Sequence, residues 1–266
     1  MISMIIAAFN EENRIKGSLL KIDRYMSGGG SDYEIIVVDD GSTDQTSRLV
    51  TELSADIANL RLLRYETNMG KGYALRTGVL SSRGDYVLLS DADMSTPIEE
   101  MSRLLQLIAH DRCDIAIGSR ALAMSRIIRK QPWWRRGMGK IFNRIVRFVI
   151  MDDFRDTQCG FKLFSGEAAR KLFGAAKINR FAFDVEILAL AKKNEYRIAE
   201  VPVRWKNAPG SKVNPLFDSF QMLYDLFRIR LTLGTDGNCG ASLPPAHENP
   251  FPPGIRFPSL DKKVPH

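Results

Sequence analysis

Short apolar runs alternate with longer amphipathic stretches along the first 120 positions. Residues 1–8, MISMIIAA, are apolar almost throughout and too short for a helix, so they predict a buried strand. Phe9-Asn10-Glu11-Glu12 breaks the run, and apolar positions then recur at helical spacing over 14–26. The couplet repeats. Residues 34–38, EIIVV, predict a second strand, and Ser42 followed by Gln45 has the form of a capping box opening a helix to about residue 55. A third strand over 60–65 leads through Asn68-Met69-Gly70-Lys71-Gly72 into a helix over 73–80. A fourth, Val87-Leu88-Leu89-Ser90, delivers Asp91-Ala92-Asp93; Thr96 as cap and Pro97 at the first helical position then start a helix to His110. A fifth strand covers 114–118.

This alternation predicts an α/β fold with a mostly parallel, Rossmann-like, doubly wound sheet and a ligand crevice at the carboxyl ends of its strands. Phe9 to Glu12, Asp39-Asp40, Asn68 to Gly72, Asp91 to Asp93 and Ser119-Arg120 all fall at such ends. For any one cluster a plain turn or helix cap is an equally good reading, because Asn, Asp, Ser and Gly are what turns use. Their number on one edge is what points to a site.

Further along, residues 130–151 read KQPWWRRGMGKIFNRIVRFVIM. On a helix Trp134, Met138, Ile141, Phe142, Ile145 and Val149 share one face and Arg136, Lys140 and Arg147 lie roughly opposite, the pattern of a helix lying in the headgroup plane of a membrane. Packing on the protein's own core is the competing reading. Residues 183–192 predict a helix against the sheet, with Asp184 and Glu186 either bordering a site or forming a solvated first turn. A second amphipathic helix over 214–235 carries Leu216, Phe217, Phe220, Leu223, Tyr224 and Phe227 on one side, for core or membrane alike. From 236 the periodicity is lost and prolines at 244, 245, 250, 252, 253, 258 and 265 predict a disordered tail. The expected division is therefore a domain over 1–213 that includes the interfacial helix 130–151, the helix 214–235, and the tail 236–266.

Composition narrows the partners. The chain has 266 residues, 44% hydrophobic and 26% charged, with a net charge of +7, which suits phosphates, nucleic acid or an anionic membrane face. Cys113, Cys159 and Cys239 are odd in number and in no metal-ligand spacing, so reduced thiols are expected. His247 and His266 lie in the tail, leaving His110 alone within the folded pattern and excluding a histidine triad or zinc site. No charged leader with a cleavage site is present, nor any uncharged apolar run of about eighteen residues, so neither signal-peptide secretion nor a spanning helix is expected.

Two carboxylates one residue apart at a strand end, Asp91 and Asp93, would face one target if the backbone stayed extended. Close anions repel unless a cation lies between them, and Mg²⁺ or Mn²⁺ completed by substrate phosphates and water meets that need. Asp40 is suited to accept from a base N–H, while backbone N–H groups around Gly70 to Gly72 and the charge of Lys71 suit phosphates.

Taken together, Ile5-Ile6-Ala7-Ala8-Phe9-Asn10-Glu11-Glu12, Val37-Val38-Asp39-Asp40-Gly41-Ser42-Thr43-Asp44, Asn68-Met69-Gly70-Lys71-Gly72 and Asp91-Ala92-Asp93 resemble the family 2 inverting glycosyltransferases, which use the A-type glycosyltransferase fold. Arg155-Asp156-Thr157-Gln158-Cys159-Gly160-Phe161-Lys162-Leu163-Phe164, Phe183-Asp184-Val185-Glu186, Glu200-Val201-Pro202-Val203 and Gly210-Ser211-Lys212 extend the resemblance to the dolichyl-phosphate β-glucosyltransferase branch. The resemblance implies transfer of glucose from UDP-glucose to a polyprenyl phosphate, dolichyl or undecaprenyl-type, with inversion, for glycan or glycoprotein assembly. It also implies that Asp91 and Asp93 serve diphosphate and metal, with Ala7, Phe9, Glu11, Asp40 and Lys71 on the nucleotide sugar. Arg120 is implied as catalytic and phosphate-binding. Eukaryotic members carry a membrane-spanning segment ahead of the first strand, whereas this sequence starts on the strand; peripheral attachment at the cytoplasmic face of a membrane is expected.

The chemistry fits a phosphate acceptor, because a phosphate monoester with a second pKa of about 6 is already anionic at neutral pH and needs no general base. Basic residues must hold it, and Arg120, Arg135, Arg136 and Lys212 are the candidates, joined by Gln158 and Ser211. GDP-mannose is the alternative donor. A sugar-phosphate nucleotidyltransferase would show a Gly-x-Gly-x-Arg loop where Phe9-Asn10-Glu11-Glu12 stands. A non-catalytic membrane- or RNA-binding module would fit Trp133 to Arg136 but leaves Asp40, Asp91 and Asp93 unexplained.

Overall fold

Seven strands form one sheet in the order β3-β2-β1-β4-β7-β5-β8. The computed structural model describes residues 1–129, 132–208 and 217–233. Strands β1 (Ile2–Ala8), β2 (Tyr33–Asp40), β3 (Leu60–Tyr65) and β4 (Tyr86–Asp91) are parallel neighbours, and β5 (Ile115–Ser119) runs parallel to β8 (Ile198–Pro202). Because β1 lies between β2 and β4 and is covered on both faces, its run is apolar nearly throughout, as a buried parallel strand requires.

The pleat divides the core. Ile5, Ile36, Val38, Val87 and Leu89 face one layer, which includes α3 (Lys71–Leu80), α5 (Trp133–Val149), α6 (Gly166–Ala175), α7 (Phe183–Lys193) and α8 (Phe217–Leu233). Met4, Ile6, Ile35, Val37 and Leu88 face the other, with α1 (Ile15–Ser27), α2 (Thr46–Leu53) and α4 (Met101–Ala109). A two-stranded sheet of β6 (Arg126–Arg129) and β9 (Arg204–Lys206) is separate.

Two strands of this sheet go unrevealed by the apolar pattern, β8 and β7 (Lys162–Ser165), and β7 enters antiparallel between β4 and β5. Its reversal matters for the site. Lys162, the first residue of β7, pairs with Leu89 and Ile117, so the segment 155–161 that feeds it arrives at the edge where the parallel strands end.

Two local expectations are corrected. Ser42 does not cap α2: its hydroxyl accepts from Asn10 N at 2.9 Å and its N–H goes to Asp39, while Asp44 Oδ1 takes the Thr46 N–H at 2.9 Å. Thr96 does not cap the following helix either; Pro97 precedes a 3-10 turn, Ile98–Glu100, and α4 begins only at Met101. In α5 the apolar face is divided: Phe142 is buried in the core with Ile145 packed against it, whereas Ile141 is 62% exposed. An apolar stripe can be covered by a sheet or by lipid, and here the core takes only part of it.

Cys113 and Cys159 are buried free thiols, and Cys239 lies outside the described residues, as does the tail 236–266. Among the described residues no helix is long and apolar enough to cross a membrane.

Candidate active site

The carboxyl ends of β1, β2 and β4 are tied together by loop hydrogen bonds. Glu11 N donates to Thr46 Oγ1 at 2.7 Å, Thr43 N to Asn10 Oδ1 at 2.9 Å, and Gln45 N to Glu12 Oε2 at 2.9 Å. Asn10 reaches this geometry with φ 54°, in the left-handed region that asparagine tolerates. The polar residues after β1 and β2 thus brace each other. Glu11 itself pairs with Arg14 at 2.5 Å, and Ala7 and Phe9 are half-buried on the same edge.

Asp40, the last residue of β2, is buried and accepts from Met69 N at 2.7 Å and Gly70 N at 2.9 Å. It therefore pins the loop that opens α3. Burial pushes its carboxyl above the usual range, against the pull of those two N–H groups. Gly70 adopts φ 103°, and a side chain there would strike the Asn179 carbonyl, so only glycine admits the linker between α6 and α7 so close to the loop. Asp40 and Asp91 end strands on either side of β1, roughly 10 Å apart at two strand spacings.

Around Asp91 the charges alternate. Lys71, the first residue of α3, donates Nζ to Asp91 Oδ1 at 2.5 Å. Burial disfavours the ammonium, yet Asp91, Asp184 and Asp93 outweigh it and hold Lys71 above the ordinary lysine range. Burial likewise raises Asp91, but Lys71, Lys162 and Arg120 more than offset it and leave the carboxyl below its ordinary value. Asp93 follows in a turn rather than an extended strand; its Oδ1 accepts from Ser95 N at 2.8 Å. Burial first, then repulsion from Asp91, raises its carboxyl. The charge of Asp91 thus acts on Asp93 across a turn rather than along an extended strand.

Arg120 follows β5 and grips Asp156 through Nε at 2.7 Å and Nη2 at 2.8 Å, a bidentate fork, with its guanidinium 5.6 Å from the Trp205 ring centroid. Asp156 is itself fixed by Glu200, which accepts its N–H at 2.9 Å. Gln158, half-buried in the next turn, donates its N–H to Asp156 at 3.3 Å. Ser211 and Lys212 lie outside the described residues, as do the side chains of Arg135 and Arg136.

Three residues here carried no assigned role in the sequence reading, and a fourth had its role left open. Lys162 is buried, donating to the Cys159 carbonyl at 2.5 Å and to Asp184 Oδ1. Asp184 is thus neither a solvated first turn nor a free edge group; Glu186 instead accepts from Lys177 N and Ile178 N. Asp156 orients Arg120. A side chain on Gly160 would run into both Asp91 carboxylate oxygens, so the backbone passes directly over that group. The signal in the sequence was membership of the 155–164 segment for Asp156, Gly160 and Lys162, and of Phe183-Asp184-Val185-Glu186 for Asp184.

The sequence matches Glycosyl transferase family 2 over residues 3–173. Dolichyl-phosphate beta-glucosyltransferase of Dictyostelium discoideum is 39% identical over 240 residues, covering 86% of this chain and 73% of the relative. The Drosophila melanogaster protein of the same name is 40% identical over 240 residues, covering 86% and 74%. Among solved structures, glucosyl-3-phosphoglycerate synthase from Mycobacterium tuberculosis with Mn²⁺, UDP-glucose and phosphoglyceric acid is similar in fold, with TM-score 0.64, 19% identity, and 88% and 79% of the two chains covered. With the polar residues gathered at the strand ends and these matches in hand, the chain is a glycosyltransferase and belongs to glycosyl transferase family 2, as a relative of the dolichyl-phosphate beta-glucosyltransferases.

Proposed function

We propose that this enzyme transfers glucose from UDP-glucose to the phosphate of a polyprenyl phosphate, dolichyl or undecaprenyl-type, with inversion. A phosphate oxygen of the acceptor attacks C1 of glucose, the bond from C1 to the diphosphate breaks, and its electron pair leaves on UDP. The observation that carries the reading is Lys71 on the Asp91 carboxylate at 2.5 Å, with the charges of Lys162 and the Asp156-held Arg120 acting on the same group, beside a second carboxylate at Asp93. No histidine joins it: His110, the one histidine among the described residues, is exposed at the end of α4. A nucleophile that is already ionised suits such a site.

Each residue then has work of a stated kind. Asp40 keeps a second lone pair on each oxygen for the base N–H, with Ala7, Phe9 and Glu11 beside it on the nucleotide edge. Lys71 meets the diphosphate. Arg120, held in orientation by Asp156, turns its remaining Nη1 to the acceptor phosphate, with Gln158 near it and Arg135, Arg136, Ser211 and Lys212 as further contributors. Asp91 and Asp93, two carboxylates close enough for the charge of one to act on the other, are the residues that would hold Mg²⁺ or Mn²⁺. Among the described residues no three His, Cys, Asp or Glu side chains converge to cage an ion, so nucleotide oxygens and water would complete its shell. When bound, such an ion neutralises charge on the departing diphosphate.

Attachment to an anionic membrane face is assigned to the outer side of α8. Phe220, Tyr224, Phe227 and Leu231 are exposed along one stripe, opposite the buried Met222, Leu226 and Ile229, and Arg228 and Arg230 flank it. Purified protein with Mn²⁺, a short-chain polyprenyl phosphate, and UDP-glucose or GDP-mannose offered separately tests the reaction. Product lipid from UDP-glucose alone, lost in Asp93→Asn with the circular dichroism unchanged, is expected; product from GDP-mannose alone, or from neither donor, overturns it.

A further inference from the structure

The carboxylate proposed to meet a divalent cation is already engaged. Lys71 Nζ lies 2.5 Å from Asp91 Oδ1, and this is not a loose surface pair, since the two side chains are only 26% and 34% exposed. The stem of Lys71 starts from a constrained backbone. A side chain at Gly70 would strike the Asn179 carbonyl and one at Gly72 the Ile178 carbonyl, so the linker ahead of α7 holds the start of α3 from outside. Phe183 sits below the ammonium, with the ring centroid 6.0 Å away. Lys162 cannot take its place, being buried against Asp184 and the Cys159 carbonyl.

We infer that Lys71 is the resident counter-ion of Asp91: it balances the carboxylate before the donor arrives and releases it when the nucleotide's diphosphate enters with a divalent cation, turning then to the diphosphate with Asp184 behind it. This rests on the function proposed above and adds an order of events to it. An ammonium and a divalent cation on one carboxylate repel, and in a partly buried site that repulsion is poorly screened. A cation alone therefore meets a site whose charge is already matched. Diphosphate changes the balance by giving Lys71 a second anion, so cation and nucleotide each strengthen the binding of the other.

Mn²⁺ titration, following the electron paramagnetic resonance signal of the free ion, separates the possibilities for wild type, Lys71→Gln and Lys71→Arg, each with and without UDP. Lys71→Gln is expected to bind Mn²⁺ alone about tenfold or more tighter than wild type, with the Mn²⁺–UDP coupling reduced by a similar factor. Lys71→Arg, which keeps the charge, stays near wild type. Unchanged or weaker binding of Mn²⁺ alone by Lys71→Gln, with UDP-dependent binding intact, overturns the counter-ion role and leaves the metal site standing. Failure of wild type and both variants to bind Mn²⁺ even with UDP overturns the metal site beneath it as well. Should Lys71→Gln not fold, wild type decides: Mn²⁺ affinity that UDP does not raise contradicts the inference.

Discussion

Lys162 and Asp184 are separated by 22 positions in the sequence and meet in the interior, at 1% and 7% side-chain exposure. Removing one member of such a pair strands the other charge in a poorly solvated site, whereas replacing both by apolar groups removes the problem. Lys162→Met is therefore expected to lose about 3–5 kcal/mol of stability in urea unfolding, and Lys162→Met with Asp184→Leu to recover most of it. Asp156 and Arg120 set a pH dependence. Burial would raise the Asp156 carboxyl, but Arg120 outweighs it and leaves the folded value below the usual carboxylate range. The stabilisation is then complete above the unfolded pKa of about 3.9 and is lost as pH falls through the lower folded value. Melting temperature followed from about pH 6 to pH 2 should fall less steeply for Arg120→Met with Asp156→Leu than for wild type. The candidate aspartates were legible because strand ends announce themselves in the pattern. Their partners were not, because a lysine in a four-residue strand carries no mark of the aspartate it will meet across the fold.

At the scale of elements, periodicity identifies a helix with an apolar face and is silent on what covers that face. In α5 the core takes Phe142, while Ile141 on the same predicted face stays 62% exposed. In α8 the pattern hides two apolar faces, an inner one of Met222, Leu226 and Ile229 and an outer one of Phe220, Tyr224, Phe227 and Leu231. Only the packed structure separates them. Phe220→Ser with Phe227→Ser should sharply reduce flotation with vesicles containing anionic lipid while changing stability by no more than about 1 kcal/mol, since exposed sites contribute little to folding. Equal flotation would move the membrane contact elsewhere. The failed capping box has a similar origin: Ser42 has the right neighbour three residues on, but Asn10, 32 residues away, takes its hydroxyl.

For the molecule as a whole, six strands run in one direction, β1 to β5 of them delivering polar ends to one edge, and the reversed β7 brings a further loop there from the opposite direction. The parallel part of this was readable from alternation alone; the insertion was not, because a single short strand does not disclose its direction or its neighbours. Nucleotide and cation are expected to meet at this edge. Crystals grown with UDP and Mn²⁺ test this through the anomalous signal of manganese. One strong peak is expected in contact with the Asp91 or Asp93 carboxylate and the UDP diphosphate, with Lys71 withdrawn from Asp91. A nucleotide bound away from these strand ends, or manganese bound without either aspartate, would contradict it.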